Sequence, residues 1–173
     1  MDQNGWLLHT ASRYSQAAND MRLTAKGRYA VTAMLDIAMN QEVQPVSVQE
    51  ISKRQSISAA YLEQIVAKLK KAGLLSSARG PGGGYKLGQD PNAISISTIV
   101  AAVGEGVDVT RCGGRVDCQE GHMCLTHDLW ASLSGEIDEF LRGITLQNLV
   151  MRQHHAESQP NCADEGVIRA TIL

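Results

Sequence analysis

The sequence predicts a mainly α-helical protein with a small β-wing, a metal-ligand loop and a long helix beyond that loop. Three observations support this prediction. Apolar residues recur at helical spacing in the first half of the chain, a glycine-rich run interrupts the pattern at residues 80–84, and three of the four cysteines lie between residues 112 and 124. At 173 residues, with 43% hydrophobic and 20% charged residues, the composition is ordinary for one domain with an extension.

Two helices are predicted before the helix that could read a base sequence. The first begins after Thr24, a plausible N-cap, and has apolar residues at i, i+3, i+4 and i+7. Those residues are Ala30, Ala33, Met34 and Ile37. Ser47 and Glu50 have the spacing of a capping box, which predicts a second, short helix to about Gln55.

The third helix follows a tight turn at Ser56 and Ile57. Ser58 is its predicted N-cap and Gly73 its C-terminal stop. Its buried face is predicted to consist of Leu62, Ile65, Val66 and Leu69. Three helices with a tight turn between the second and third are typical of a helix-turn-helix.

The outer face of the third helix carries groups that can recognise DNA bases. Ala60 is small and permits close approach, and Ser58, Tyr61, Glu63 and Gln64 offer hydroxyl, carboxylate and amide groups. Glutamine can pair with adenine, and glutamate can accept a hydrogen bond from cytosine. An ordinary amphipathic helix with a polar outer face is the alternative.

The glycine-rich run predicts a β-hairpin. It lacks the Lys-Ser/Thr ending of a nucleotide-binding P-loop, and short strands flank its Pro-Gly tip. Leu75, Tyr85 and Leu87 are available to the core, while Arg79 and Lys86 can face a DNA backbone. A helix-turn-helix with a basic hairpin is a winged helix, in which Arg79 would reach phosphates or the minor groove.

Charge is distributed unevenly along the chain. Residues 21–90 hold ten Lys or Arg against five Asp or Glu, a net charge of +5, while residues 91–173 hold five against eleven, a net charge of −6. Such an excess of positive charge suits a polyanionic partner, and by itself it is equally compatible with a merely solvated surface.

The cysteine-rich loop has the pattern Cys112-x5-Cys118-x5-Cys124-x2-His127, which predicts a metal site. The start of the chain has no secretory signal and no apolar run spans a bilayer, so we expect a cytoplasmic protein without membrane contact. In that compartment metal ligation is favoured over disulfides. The residues alone leave zinc and an iron-sulfur cluster equally supported. His122 is the rival ligand and is expected to be exposed.

Further elements flank this loop. Ile94 and Ile96 suggest a short strand, after which Ser97 is expected to cap a helix to about Val103. Beyond the loop, a long helix ending at Gly143 carries an apolar seam, and Thr145 is expected to cap a short helix to about Gln153. Packing within one chain is the alternative to burial of this seam against a second copy. The seam comprises Trp130, Leu133, Ile137, Phe140 and Leu141.

These observations divide the chain into six parts. They are a disordered N-terminal extension (1–20), a winged helix-turn-helix DNA-binding domain (21–90), a connecting strand and helix (91–110), a metal-ligand loop (111–127), a dimerisation helix with a short terminal helix (128–153) and a flexible tail (154–173). Cys162 in the tail is expected to be a free thiol.

Several separate segments resemble the Rrf2 family of winged-helix regulators, especially its members that regulate iron-sulfur cluster assembly. The segments are Met21-Arg22-Leu23-Thr24-Ala25-Lys26-Gly27-Arg28-Tyr29-Ala30, Ile57-Ser58-x2-Tyr61-Leu62-Glu63-Gln64, Arg79-Gly-Pro-Gly-Gly-Gly-Tyr85 and the cysteine loop. The resemblance covers about residues 21–155. It implies a homodimer that holds a 2Fe-2S cluster through Cys112, Cys118, Cys124 and His127.

The resemblance also implies a function. The protein would repress the operon for cluster assembly, regulate other promoters according to cluster occupancy, and receive its cluster from the assembly machinery. The residues predicted to contact the DNA operator are Arg22, Lys26, Arg28, Ser58, Ala60, Tyr61, Glu63, Gln64, Lys68, Arg79, Gly80, Pro81, Gly82, Gly83 and Tyr85.

Three other functions remain as alternatives. One is a nitric-oxide-sensing or redox-sensing repressor of the same family, although the nitric-oxide-sensing relatives lack the trailing Cys-x2-His. Another is a structural-zinc regulator, which would use the same ligands. An enzyme or electron carrier is disfavoured because the sequence has no nucleophile and base pair and no flavin motif.

Overall fold

The computed structural model of the protein describes residues 24–80, 82–110, 112–119 and 121–158. The predicted extension at 1–20 and most of the predicted tail, 159–173, lie outside these residues. The described elements are α1 (Ala25–Asn40), α2 (Val48–Gln55), α3 (Ala59–Lys71), β1 (Leu75–Ala78), β2 (Gly84–Leu87), α4 (Ile96–Ala102), α5 (His127–Arg142) and α6 (Leu146–Ser158). None of these helices combines the length and the apolar character that crossing a membrane requires.

The described chain forms two compact units. The helical unit contains residues 25–106 and 139–158, and the loop unit contains residues 107–138. The fold is mainly helical with one two-stranded antiparallel sheet, as predicted from the sequence.

The core of the helical unit lies between α1 and α3. The residues predicted to face it are at most 1% exposed, which confirms the helical spacing read from the sequence. They are Ala30, Ala33, Met34 and Ile37 on α1 and Leu62, Ile65, Val66 and Leu69 on α3. Burial of these aliphatic side chains holds α3 by one face and leaves its other face to solvent.

Capping explains where α2 and α3 begin and end. The predicted capping box is present, since Ser47 Oγ accepts the Glu50 N–H at 3.2 Å and the Glu50 carboxylate accepts the Ser47 N–H at 2.7 Å. Ser58 is the N-cap residue of α3, as predicted, although its side chain makes no capping hydrogen bond. At the other end Gly73, at φ +75°, terminates α3 as predicted.

The wing is a hairpin whose second strand is also held from the other side. Leu75 pairs with Leu87 and Ala78 with Gly84 in antiparallel register. Tyr85 exchanges two backbone hydrogen bonds with Val46, at 2.9 and 2.8 Å. The segment that leads into α2 therefore fixes the wing to the helix-turn-helix.

A buried carboxylate connects α1 to α2. The Asp36 side chain is 1% exposed and accepts hydrogen bonds from Arg54 Nε at 3.0 Å, from a terminal Arg54 nitrogen at 2.6 Å and from Gln55 Nε2 at 2.8 Å. Charge-assisted bonds of this kind satisfy the carboxylate in a place that water cannot reach. They set the position of α2 on the helix that precedes it.

The strand expected at Ile94 and Ile96 is absent from this fully described segment. Ser95 forms an isolated bridge with Thr145, and Ser95, not Ser97, caps α4 by accepting the Thr98 N–H at 3.1 Å. The predicted cap was wrong by two residues because Ser95 takes its extended conformation from a partner far along the chain.

The C-terminal helices follow the prediction except at the end of α6. Helix α5 ends just before Gly143, as expected. Thr145 caps α6 as predicted, accepting the Asn148 N–H at 3.2 Å, but α6 continues to Ser158 instead of ending near Gln153. The flexible tail predicted from residue 154 is therefore wrong for residues 154–158, which contain neither glycine nor proline.

Candidate metal centre and nucleic-acid interface

Three side chains of the loop unit converge on one point. Cys112 Sγ, Cys118 Sγ and a ring nitrogen of His127 lie within 4.8 Å of one another. His127 Nδ1 is 3.5 Å from Cys112 Sγ and 3.6 Å from Cys118 Sγ. Cys112 and His127 are buried, Cys118 is half-buried, and the rival histidine, His122, is exposed as expected. The fold thus brings together three of the four predicted ligands.

The fourth predicted ligand, Cys124, adjoins this group through its backbone. Its N–H donates to Cys118 Sγ at 3.1 Å, and its carbonyl accepts the His127 N–H at 3.1 Å. Its own sulfur contacts the Thr126 hydroxyl at 3.8 Å, and that hydroxyl accepts the indole N–H of Trp130 at 3.2 Å. Trp130, a residue of the predicted dimerisation seam, is therefore connected through the Thr126 hydroxyl to Cys124, a predicted ligand.

Thr110 organises the first turn of the loop, a role that the sequence analysis missed. Its buried hydroxyl donates to Asp108 Oδ1 at 2.6 Å, accepts the Gly114 N–H at 2.8 Å and lies 3.8 Å from Cys112 Sγ. Gly113 and Gly114 both have positive φ, of 62° and 76°, which glycine adopts without strain. The available signal was Asp108 two residues before Thr110, the spacing at which an aspartate binds a backbone N–H in a turn.

Hydrogen bonds lower the pKa of two of the three thiols of the loop, Cys112 and Cys124. Burial raises the pKa of Cys112, but hydrogen bonds with the Thr110 hydroxyl, the Val116 backbone and other neighbours outweigh burial and lower this pKa to about 7. A hydrogen bond with Cys118 lowers the pKa of Cys124. The Cys124 N–H lowers the pKa of Cys118, but burial and the adjacent thiols raise it overall. Because the thiolate is the ligand form, Cys112 is ready to bind metal near neutral pH.

The two sulfur-to-nitrogen distances in this group fit a tetrahedral metal. A metal that binds sulfur at about 2.3 Å and imidazole at about 2.0–2.1 Å separates the two ligand atoms by about 3.6 Å. The observed separations of His127 Nδ1 from Cys112 Sγ and Cys118 Sγ are 3.5 and 3.6 Å. Two thiolates and an imidazole can therefore hold a zinc ion or one iron atom of a cluster.

The outer face of α3 is open, as the base-reading prediction requires. Ser58, Ala60, Glu63 and Gln64 are exposed at its N-terminal end. Tyr61 is half-buried, and its ring lies edge-on to that of Tyr29 on α1, with centroids 5.9 Å apart. The four exposed groups are therefore accessible to DNA bases. The Tyr61 ring also packs α3 against α1.

In the wing, two glycines are required by close packing. A Cβ on Gly83 would lie 2.6 Å from the Ala78 oxygen, and a Cβ on Gly84 would lie 2.5 Å from the Val46 oxygen. Of the other residues predicted to contact DNA, Arg28, Arg79, Gly80 and Gly82 are exposed, Tyr85 is half-buried, and Arg22 and Pro81 lie outside the described residues.

Two predicted DNA-contacting lysines have partners inside the helical unit. Lys26 Nζ is 2.9 Å from Glu105 Oε1, and Lys68 Nζ donates to the Val103 carbonyl at 3.0 Å. Val103 and Glu105 follow α4, a segment that the sequence analysis had assigned only a connecting role.

Helix α5 displays apolar side chains that the described residues leave partly uncovered. Phe140 is 68% exposed, and Trp130, Leu133, Ile137 and Leu141 are half-buried. This is the seam predicted for dimerisation.

Comparisons with known proteins agree on one family. The Rrf2 family, described as iron-dependent transcriptional regulators, matches residues 23–152. The HTH-type transcriptional regulator IscR of Vibrio cholerae is 60% identical over 131 residues, which are 76% of each chain. A solved IscR structure from T. potens has a TM-score of 0.67 at 34% identity and covers 81% of this chain and 93% of that one. CymR, the global cysteine regulator of B. subtilis, has a TM-score of 0.64 at 30% identity and covers 76% and 97%.

Proposed function

The chain belongs to the Rrf2 family of transcriptional regulators, and on this basis we propose that it is a homodimeric, cluster-sensing repressor. In this proposal a 2Fe-2S cluster is held by Cys112, Cys118, Cys124 and His127. Cluster occupancy sets which DNA operators are bound, and the occupied protein represses the operon for cluster assembly. A regulator of promoters acts in the cytoplasm, where it would receive its cluster from the assembly machinery.

The observation that carries the proposal is the convergence of Cys112, Cys118 and His127 within 4.8 Å in a chain that also has a winged helix. Thiolates with one imidazole are a known ligand type for such clusters. The iron-dependent description of the family and the similarity to IscR proteins add support for iron.

The residues of the loop would control how firmly the centre is held. Cys112 enters as a thiolate near neutral pH because hydrogen bonds lower its pKa to about 7. A bound cluster would supply iron and would be held by residues of the loop and by His127, the first residue of α5.

DNA recognition would use α3 and the wing together. Glu63 and Gln64 are exposed at the end of α3 that would enter the major groove, and Arg79 is exposed on the wing. Lys26, Arg28 and Lys68 add positive charge for the phosphates. The seam on α5 would be buried against a second copy of the chain. The resulting dimer would present two DNA-binding domains to one operator.

Metal and sulfide analysis of anaerobically purified protein tests the cofactor. Wild-type protein is expected to contain iron and sulfide and to absorb visible light. The Cys118→Ala variant is expected to lose the iron, the sulfide and the absorption while remaining folded. Cys162→Ala, outside the described residues, is the matched control and should keep full content. Colourless wild-type protein that cannot be loaded with iron and sulfide would contradict the proposal.

Operator binding tests the regulatory part. Loaded protein and Cys118→Ala are titrated against the promoter of an assembly operon and against a second, cluster-independent site. The proposal expects the variant to lose affinity for the first site only, because a cofactor can favour one complex only by its differential affinity for the two states. Equal affinities of both proteins at both sites would refute sensing.

A structural zinc ion in a family repressor is the second candidate. The two sulfur-to-nitrogen separations of 3.5 and 3.6 Å are those expected between ligands of a single tetrahedral ion. Stoichiometric zinc without sulfide, with DNA binding unchanged on metal exchange, would favour this candidate over the cluster.

A further inference from the structure

Two lysines and one glutamate form a small charged cluster in the helical unit. Lys26 lies in the first turn of α1, Lys68 lies on α3, and Glu105 follows the end of α4. Lys26 Nζ is 2.9 Å from Glu105 Oε1, and Lys68 Nζ is 3.0 Å from the carbonyl of Val103. We call this group the Glu105 cluster. It joins two helices of the DNA-binding domain to the segment after α4.

The Glu105 cluster contains more positive than negative charge. The hydrogen bond with Glu105 raises the pKa of Lys26, whereas the nearby Lys26 ammonium lowers the pKa of Lys68. Two ammonium groups thus lie close together, and the carboxylate of Glu105 is the acidic group that faces Lys26. An arrangement with one carboxylate for two ammonium groups keeps affinity for a further anion.

The position of the Glu105 cluster connects it to the predicted DNA surface. Residues 61, 64 and 68 of a helix lie along one side, so Lys68 continues the stripe that begins with Tyr61 and Gln64. Gln64 and Lys68 are exposed on α3. The ammonium groups of the cluster therefore border the face that would meet phosphates.

We propose that Glu105 lowers the affinity of the protein for DNA by withholding Lys26, its ion-pair partner, from the phosphate backbone. Carboxylate and phosphate oxygens are alternative acceptors for the same ammonium groups. The side chains of Lys26 and Glu105 are 26% and 17% exposed, and a partly exposed ion pair is weak enough for a mutation to release the lysine without unfolding the domain. Glu105 is thus an affinity-setting residue that need not touch DNA, and this inference rests on the DNA binding proposed above.

Glu105→Gln tests the inference against a charge-matched control. Glu42→Gln removes the same charge at an exposed position in the turn after α1. Affinity for a duplex of unrelated sequence is measured for wild type and both variants between about 50 and 200 mM salt. Each lysine released to a phosphate should steepen the salt dependence by about 0.9 and widen the ratio of affinities across this range by about threefold.

The expected result is that Glu105→Gln binds the duplex more tightly than Glu42→Gln at low salt and loses affinity more steeply with salt. Lys26→Met placed on Glu105→Gln should remove at least half of the gain, which shows that the gain passes through the lysine and not through net charge. Circular dichroism confirms that each variant is folded.

Two outcomes would overturn the inference. One is equal affinity and equal salt slope for Glu105→Gln and Glu42→Gln, and the other is a gain that survives Lys26→Met in full. Failure of wild-type protein to bind any duplex would be a different result, because it would contradict the proposed function itself.

Discussion

Replacing Gly84 by alanine tests how the wing is attached to the helix-turn-helix. Gly84 opens β2 and lies against the segment before α2. A Cβ at this position would be 2.5 Å from the Val46 oxygen, 2.6 Å from the Val46 carbonyl carbon and 2.9 Å from the Ser47 nitrogen. All three are backbone atoms, so no side-chain rotation relieves the contact. The strand must move away from residues 46 and 47.

The structure gives the size of the effect. When β2 moves away from residues 46 and 47, the two backbone hydrogen bonds between Val46 and Tyr85, at 2.9 and 2.8 Å, are broken. A net loss of about 0.5–1.5 kcal/mol for each bond gives about 1–3 kcal/mol. Residual overpacking adds about 1 kcal/mol or more. We therefore expect Gly84→Ala to lower the free energy of unfolding by about 2–4 kcal/mol, and the displaced wing should also weaken binding to DNA of any sequence.

Urea unfolding followed by circular dichroism measures this change. Gly106→Ala is the matched control, because a Cβ on Gly106 would meet no described atom within 4 Å. A Gly84→Ala variant whose free energy of unfolding lies within about 0.5 kcal/mol of the Gly106→Ala value would refute the reasoning.

Three further predictions concern the buried Asp36 carboxylate, the cap of α2 and the seam on α5. Asp36→Ala should lower the free energy of unfolding by about 2–3 kcal/mol in urea titrations. This is less than for a fully buried pair, because the Arg54 side chain is 37% exposed and can turn to water. A change under about 0.5 kcal/mol would contradict this prediction. Ser47→Ala should cost about 1 kcal/mol near neutral pH. Hydrogen bonds that the Ser47 N–H and hydroxyl donate lower the pKa of Glu50 below its ordinary 4.5, and alanine loses only the one from the hydroxyl. That part of the cost is complete above 4.5 and is lost as the pH falls through the lowered pKa, whereas the cap on the Glu50 N–H remains, so an undiminished cost in acid would be inconsistent with this reasoning. Phe140→Glu should convert the proposed dimer into monomers in sedimentation experiments. A dimer that persists unchanged would show that the seam on α5 is not its interface.

Sequence patterns predicted the elements whose signal is local. Helices α1 and α3 bury residues at helical spacing, and the Ser47–Glu50 capping box and Gly73 lie within a few residues of the ends that they fix. In these places burial and capping act over one or two turns, so a short window contains the physical cause.

The structural features that the sequence did not predict depend on distant partners. Ser95 caps α4 from a conformation that its bridge with Thr145 supports, and the wing is held by Val46, which precedes it by a whole helix-turn-helix. The cysteine spacing pointed correctly to a group that includes Cys112 and His127. The contribution of Thr110 depends on the folded loop, because its hydroxyl contacts both the Gly114 N–H and the Cys112 sulfur.

The hydrogen bonds that run from Trp130 through Thr126 to Cys124 also give the protein a built-in optical probe. The chain has two tryptophans, and Trp6→Phe would leave Trp130 as the single indole emitter. An iron-sulfur chromophore at the cysteine loop absorbs where indole emits, and energy transfer over so short a path quenches the emission strongly, whereas zinc has no such absorption. Fluorescence of Trp6→Phe protein would therefore report cluster loading and loss in real time, without a label and without DNA.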